Sequence, residues 1–189
     1  MKKYELTAEF IEKWGKKLFR IKALISFGSV EAGELGGYVE KEDNLAQDGD
    51  AWVYGDARVY GNAEVYGDAR VYGNARVCDD AWVYGDAWVC DDARVYGNAW
   101  VCGNADYLLI GRIGSRFSFT TFFKNKDKGI TVSCGCFLGT IAEFRAKVTD
   151  THGNNKHAKI YNLAADMAEL QILGEEHFDK LNTNKSEPF

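Results

Sequence analysis

The sequence lacks the features of several protein classes. Its only proline is Pro188, and no stretch reaches the roughly 18 consecutive apolar residues of a membrane-spanning helix. Residues 1–5 contain no apolar run, so neither a secretory signal nor a membrane partner is expected. Five cysteines form an odd set, which favours reduced thiols and a cytoplasmic location over a disulfide framework.

Histidine and lysine are missing from the middle of the chain. Between Ala51 and Asp106 there is no histidine and no lysine, and nine acidic residues outnumber four arginines. The net charge of this segment is therefore -5, equal to that of the whole chain. Because nucleic-acid-binding surfaces are basic, nucleic acid is not an expected partner.

The same segment is a six-residue repeat. Nine consecutive units start at Ala51 with Ala first and Val third, from AWVYGD through ARVCDD to AWVCGN. Positions two to four suit a short strand with Val inward and its neighbours outward, and Gly-Asp or Gly-Asn suits a tight corner. A period of six does not match one helical face. Such short strands must stack coil upon coil.

An aliphatic residue is followed four positions later by a small one, as in Val53 and Ala57. This pattern resembles the hexapeptide-repeat family. The resemblance covers residues 51–106 and implies a left-handed parallel β-helix with three hexads per coil. Upstream, Val39, Leu45 and Ala51 keep the spacing of six. We therefore expect a β-helix of about four coils over residues 27–110, in a chain that is mainly β.

The flanking segments are expected to cover the ends of the β-helix. Residues 1–26 form an N-terminal cap with a strand over 17–24 and a short helix or strand over 5–14. Residues 111–174 form a small β/α region with strands over 117–123 and 130–137. Its first helix starts at a Thr140–Glu143 capping box. A second helix from about 157 to 173 buries Ile160, Ala164, Met167 and Leu170. Residues 175–189 are a polar tail.

With three hexads per coil, residues 18 apart stack in columns. The predicted contact surface consists of outward tryptophan, tyrosine and arginine residues, which are common at interface hot spots. They are Trp52, Arg70, Trp88, Tyr54 and Tyr72 on one face, Arg58, Arg76 and Arg94 on the second, and Trp82, Trp100, Tyr66 and Tyr84 on the third. In two alternative interpretations the C-terminal region covers these columns, or they only stack on one another.

Few residues suggest catalysis. Transferases of the hexapeptide-repeat family use a histidine base, and only His152 and His157 offer one here, outside the repeat.

Cys134 and Cys136 with these two histidines form a candidate zinc site, although Cys-x-Cys is not the usual zinc-binding spacing. Buried thiols are the ordinary interpretation of the cysteines. No cofactor is expected, and the sequence favours a non-enzymatic protein over a CoA-dependent acyltransferase.

We therefore predict an interaction protein that uses these tryptophan, tyrosine and arginine columns both to self-associate as a dimer or trimer and to bind another protein. The chain also resembles uncharacterised phage and bacterial hexapeptide-repeat proteins through residues 36–45 (GGYVE-x-E-x-NL) and 135–144 (GCF-x-GT-x-x-EF). That resemblance suggests a phage-encoded inhibitor of a host defence factor. Two further alternatives are an acidic nucleic-acid mimic, from the Asp and Asn corners, and a glycan-binding module, from the aromatic columns.

Overall fold

The computed structural model describes residues 1–177, in two compact units that divide between Asn104 and Ala105. The first unit contains all nine hexads. Residues 107–110, assigned from the sequence to the end of the β-helix, instead lie in a strand of the second unit. Residues 178–189 of the predicted polar tail are outside the described residues.

Nine two-residue strands form the central part of the first unit, one in each hexad. They are β4 (Trp52–Val53), β5 (Arg58–Val59), β6 (Glu64–Val65), β7 (Arg70–Val71), β8 (Arg76–Val77), β9 (Trp82–Val83), β10 (Trp88–Val89), β11 (Arg94–Val95) and β12 (Trp100–Val101). Each pairs in parallel with the strand 18 residues away, so that three hexads complete a coil, as predicted. All the repeat valines and alanines are buried, which confirms that valine faces the interior.

A preceding strand, β3 (Leu35–Val39), adds a fourth layer on one face and completes about four coils. Here the register differs from the expected one. Val39 pairs with Val59, and Leu45 bridges to Val65, so these partners are 20 residues apart instead of 18. The two extra residues lie between Leu45 and Val53. Ala51 therefore occupies the alanine position of its coil and does not continue the series of inward residues that Val39 and Leu45 belong to.

An antiparallel hairpin covers the N-terminal end of the solenoid. It consists of β1 (Tyr4–Lys13) and β2 (Lys16–Ala23), and β2 pairs with β3. Lys3, beside this hairpin, is almost completely buried, and its Nζ donates to the backbone carbonyls of Asp48 and Ala51, at 3.0 Å each. Burial lowers the pKa of Lys3 to about 8. These bonds attach the cap to the loop that holds the two extra residues.

The corners between strands require a left-handed backbone, which glycine adopts without strain. At Gly85 (φ +63) a Cβ would lie only 2.4 Å from the carbonyl oxygen of Cys102 in the next coil. At Gly97 (φ +64) a Cβ would meet nothing within 4 Å. The two corners share a backbone conformation and differ in the space around them.

We expect Gly85→Ala to lower the free energy of unfolding by about 2–4 kcal/mol, because backbone must move in addition to the conformational strain. Gly97→Ala, the matched control, incurs only the strain of a left-handed alanine, about 1–2 kcal/mol. Urea unfolding followed by circular dichroism measures both variants. Equal losses would contradict the close stacking of these coils.

The second unit begins with a four-stranded antiparallel sheet in chain order. Its strands are β13 (Tyr107–Ile113), β14 (Ser118–Lys124), β15 (Ile130–Cys134) and β16 (Phe137–Thr140). The sequence predicted two strands here. It missed β13, which directly follows the repeat, and treated β15 and β16 as one strand. Gly135 (φ +62) and Cys136 form the turn that separates the last two strands.

Two helices follow the sheet, α1 (Ile141–His152) and α2 (Lys156–Leu173). The predicted capping box is present: Thr140 Oγ1 accepts from the backbone N–H of Glu143, whose carboxylate accepts from the backbone N–H of Thr140. Phe144 and Val148 of α1 pack in the core of this unit. Within residues 1–177, neither helix combines the length and apolar character needed to cross a bilayer.

The face of α2 that packs inward is not the predicted one. Ala164 is buried as expected, but Ile160, Met167 and Leu170 are exposed, together with Leu163. The buried residues are mostly small: Ala158, Tyr161, Ala164, Ala165, Ala168, Glu169 and Ile172. Alanines allow an element to approach the helix backbone closely, and Glu169 is satisfied by an ion pair with Arg145 at 2.6 Å. Four large apolar side chains are consequently left facing outward.

Candidate interaction surface

The outward side chains of the solenoid form three faces, each built by residues that repeat every 18 positions. We name them by their members. The Trp88 face holds Trp52, Arg70, Trp88, Tyr54, Tyr72 and Cys90. The arginine face holds Arg58, Arg76, Arg94, Tyr60, Cys78 and Tyr96. The aromatic face holds Glu64, Trp82, Trp100, Tyr66, Tyr84 and Cys102. On all three faces the strand residues pair with those 18 positions away, as the repeat predicts.

The aromatic face is a connected cluster of rings. Tyr66 and Tyr84 stack with centroids 5.0 Å apart and planes only 4° from parallel. Trp82 and Trp100 meet edge to face at 6.3 Å, and the Trp100 indole N–H donates to the Tyr84 hydroxyl. Trp100 is 36% exposed. Ring stacking fixes these side chains in place while leaving part of their area open to solvent.

The solvent exposure of the Trp88 face differs between its two ends. At one end Trp88 is 46% exposed, with the Arg70 guanidinium 5.3 Å from its ring centroid and Tyr72 edge-on at 6.4 Å. At the other end Trp52 is completely buried. Tyr4 and Phe27 pack edge-on against its indole, at 6.0 and 5.4 Å. Trp52 was predicted to be part of the contact surface, and its burial removes it from that surface.

The arginine face is covered in part by the tip of the N-terminal hairpin. Trp14 stacks on Tyr60 with centroids 5.2 Å apart, and the Arg76 guanidinium lies 4.6 Å from the Trp14 ring centroid. Cys78 is buried in the same place, and burial raises the pKa of its thiol to about 12. The sequence suggested the C-terminal region as a cover for the columns. In the first unit the N-terminal segment covers Trp52 and part of the arginine face.

The acidic and amide residues at the corners have backbone roles. Asp79 (φ +61) and Asp91 (φ +57) take the left-handed corner position that glycine fills in other hexads. The Asp79 carboxylate also accepts from the backbone N–H of Gly97, at 3.2 Å. Asn62 donates to Asp80 in the neighbouring coil, at 3.1 Å. The composition of the corners therefore follows from the demands of the fold.

The candidate catalytic and zinc-binding residues all lie in the second unit. Cys134, Cys136 and His152 line one cavity, and the His152 ring lies 5.8 Å from that of His157. Across residues 1–177 no three His, Cys, Asp or Glu side chains are grouped so as to hold a metal ion. The candidate zinc ligands are thus not brought together as a metal site: Cys134 ends β15, and Cys136 lies in the following turn.

Sequence reasoning missed several residues of these sites. Trp14 follows no repeat, so nothing in the sequence placed it over the arginine face. Tyr161 and Arg116 line the same cavity as Cys134, although they are far apart in sequence. Tyr161 lies on the same side of α2 as its buried alanines. If that side had been assigned to the core, Tyr161 would have been predicted to point inward.

Comparison with known protein families identifies the repeat. The model of the YdcK Beta solenoid repeat matches at residues 51–67, 63–79, 69–85, 75–91 and 87–103. This part of the chain is similar to the YdcK beta solenoid. The matches span all nine two-residue strands and therefore all three faces. No curated protein matches the chain.

Proposed function

We propose that this chain is a non-enzymatic interaction protein whose solenoid binds another protein through the aromatic face and the adjoining Trp88. The single observation that carries the proposal is the partial exposure of Trp88 and Trp100 on a framework held by a separate set of inward residues. Tryptophan, tyrosine and arginine are the residue types that most often dominate the binding energy of interfaces. These side chains contribute little to the buried valine core.

The rigidity of the surface supports binding. Parallel backbone hydrogen bonds join successive coils, for example from Trp82 N–H to the Ala99 carbonyl at 2.9 Å and from Tyr84 N–H to the Val101 carbonyl at 3.0 Å. The rings are additionally fixed by stacking on one another. Side chains that are already ordered lose little entropy when a partner binds, so more of the contact energy becomes affinity.

The test is a quantitative pull-down from a host extract with the double variant Trp88→Ala/Trp100→Ala, which removes the two exposed indoles of the proposed surface. We expect the variant to fold with a melting temperature close to that of the wild type and to lose a partner that the wild type retains. Trp14→Ala is the matched control, because it removes an exposed indole from a different face. Equal recovery of every protein by the wild type and the double variant would contradict the proposal.

The resemblance to phage proteins extends this proposal to the nature of the partner. A host defence factor, inhibited by a phage-encoded protein, is the partner that this resemblance suggests. Mass spectrometry of the captured protein tests the extension separately from the surface itself. A partner with no role in defence would leave the proposed surface in place and remove the inhibitor role.

The other functional classes predict different results. A CoA-dependent acyltransferase predicts clear thermal stabilisation by acetyl-CoA that is lost in His152→Ala or His157→Ala. A glycan-binding module predicts a change in tryptophan fluorescence on addition of glycans. A nucleic-acid mimic predicts that neutralising exposed corner acids such as Asp86 and Asp92 weakens binding more than removing the indoles does. Each of these outcomes would replace the proposed function.

Self-association is part of the proposal, and we assign it to the outward stripe of α2. The stripe consists of Ile160, Leu163, Met167 and Leu170, whose spacing of three, four and three residues is that of a coiled-coil seam. All four are exposed, with Leu163 at 63% and Met167 at 58%. Large apolar patches on soluble proteins commonly mark interaction sites.

The charge distribution favours a second copy as the occupant, in antiparallel orientation. Lys156 and Lys159 are exposed at the N-terminal end of α2, and Glu175 and Glu176 are exposed just after its C-terminal end. Antiparallel pairing places each basic end beside an acidic end. It also places Leu163 of one copy opposite Met167 of the other.

Light scattering after size exclusion tests this pairing. We expect twice the 21.1 kDa mass of one chain for the wild type and a monomer for Leu163→Glu, because a charge in the seam cannot be buried without a partner. Ala142→Glu adds the same charge to an exposed position on α1 and should stay dimeric. A monomeric wild type, or a dimeric Leu163→Glu variant, would contradict the assignment.

A further inference from the structure

A cavity of about 390 Å³ opens in the second unit. It lies where the β13–β14 turn and the β15–β16 turn face the second half of α1 and the side of α2 that carries Tyr161. Its volume is within the range of small-molecule sites, at the lower end. The proposed binding function does not use it.

The floor of the cavity is apolar and ordered. Phe144 and Val148 are buried members of the core of the unit. Phe137 packs on Phe144 with centroids 5.6 Å apart, and Tyr161 meets Phe144 edge to face at the same distance. These rings present a preformed apolar surface to whatever enters the cavity.

Several polar side chains that can donate hydrogen bonds line the cavity. The Tyr161 side chain is only 6% exposed and hydrogen-bonds with Cys134. Burial, with a contribution from Cys134, raises the pKa of Tyr161 to about 12, so its hydroxyl stays protonated. The His152 ring stacks on that of Tyr161 at 5.7 Å. Ser115 and Ser118 add two hydroxyls at the lining.

The charged side chains that line the cavity, apart from the titratable His152, are both basic. Arg116 and Lys147 both contribute to the lining, and no aspartate or glutamate does. The Lys147 ammonium is 2.9 Å from the carboxylate of Asp150, an exposed residue outside the lining, so part of its charge is already compensated. Arg116 supplies the remaining cation, and its planar guanidinium matches the geometry of a carboxylate or phosphate.

We propose that this cavity binds a small organic anion, with its carboxylate or phosphate at Arg116 and its apolar body on Phe137, Phe144 and Val148. The combination of a cationic rim, hydroxyl donors and an aromatic floor selects against both neutral apolar molecules and inorganic anions. A neutral molecule leaves the guanidinium without its counterion. An inorganic anion leaves the apolar floor exposed to water.

Isothermal titration calorimetry of the full chain tests the proposal with benzoate and phenyl phosphate, against benzamide and inorganic phosphate as matched probes. We expect at least one of the organic anions to bind, and each matched probe to bind about tenfold more weakly or not at all. The organic anion that binds with the higher affinity then shows whether the cavity prefers a carboxylate or a phosphate.

Three variants test whether the organic anion binds in this cavity. Arg116→Gln removes the charge from an exposed residue and should weaken anion binding about tenfold. Thr151→Trp, also at an exposed lining position, should reduce binding by filling the mouth of the cavity. Arg112→Gln is the control, because Arg112 is exposed and does not line the cavity. The proposal is overturned by absent binding of both organic anions, by equally strong binding of benzamide, or by equal losses in the two arginine variants.

Discussion

Replacing Val77 with aspartate is expected to prevent the first unit from folding. Val77 is completely buried in the middle of the stack, paired with Val59 in the coil before it and Val95 in the coil after it. An aspartate side chain there has no hydrogen-bond or charge partner, and burying it costs several kcal/mol even when its carboxyl group is protonated and therefore neutral. That cost is comparable with the whole stability of a domain, about 5–15 kcal/mol.

Far-UV circular dichroism and limited proteolysis of Val77→Asp measure this effect. The matched control is Ala8→Asp, which adds the same side chain at an exposed position of β1 and should fold normally. A Val77→Asp protein with the wild-type spectrum and protease resistance would show that the valines do not line the interior of the solenoid.

Replacing Trp52 with alanine is expected to lower the free energy of unfolding by about 3–5 kcal/mol, the usual cost of removing a buried aromatic ring. Trp52 is fully buried between the N-terminal cap and the first complete coil, against Tyr4 and Phe27. Its indole Nε1 has no hydrogen-bond partner, so the loss comes from apolar contact area.

Trp88→Ala is the matched control, because Trp88 lies in the same column two coils away and is 46% exposed. Its loss should not exceed about 1 kcal/mol, from the contact with Arg70 and ordinary surface effects. Guanidinium unfolding followed by circular dichroism gives both values. Similar losses for the two variants would show that the chain itself covers Trp88.

The regular part of the fold could be predicted from the sequence because its period is strict. One strand length recurs nine times and one left-handed corner eight times, so the positions of Val77, Arg76 and Trp100 in the solenoid follow from counting. The two-residue shift before Val53 could not be predicted in this way, since alanine and valine both fit a buried position. The spacing of six from Val39 to Ala51 was therefore compatible with two registers.

The burial of Trp52 depends on contacts that no repeat encodes. Tyr4 and Phe27 reach it only after the N-terminal hairpin has paired with β3, and their positions are set by strand pairing between distant segments. The predicted columns of Trp52, Arg70 and Trp88 were correct as columns. Which member is exposed is decided by the cap.

In the second unit, the helices could be predicted and their orientation could not. The Thr140–Glu143 capping box located the start of α1 correctly. In α2, apolar residues lie on two sides of the helix, and the larger ones were assigned to the core. The structure packs the alanine side inward, because small side chains allow close packing with the sheet and α1. This error hid both the cavity residue Tyr161 and the exposed stripe of α2.

Hydroxyl-radical footprinting of the five tryptophans, in the free protein and in the complex with its captured partner, tests the central claim most directly. We predict that Trp52 resists oxidation in both states, whereas Trp88 and Trp100 are oxidised in the free protein and protected in the complex. Trp14, 52% exposed on another face, should react in both. Equal oxidation of Trp88 and Trp100 in the two states would contradict the claim that these exposed indoles form the binding surface.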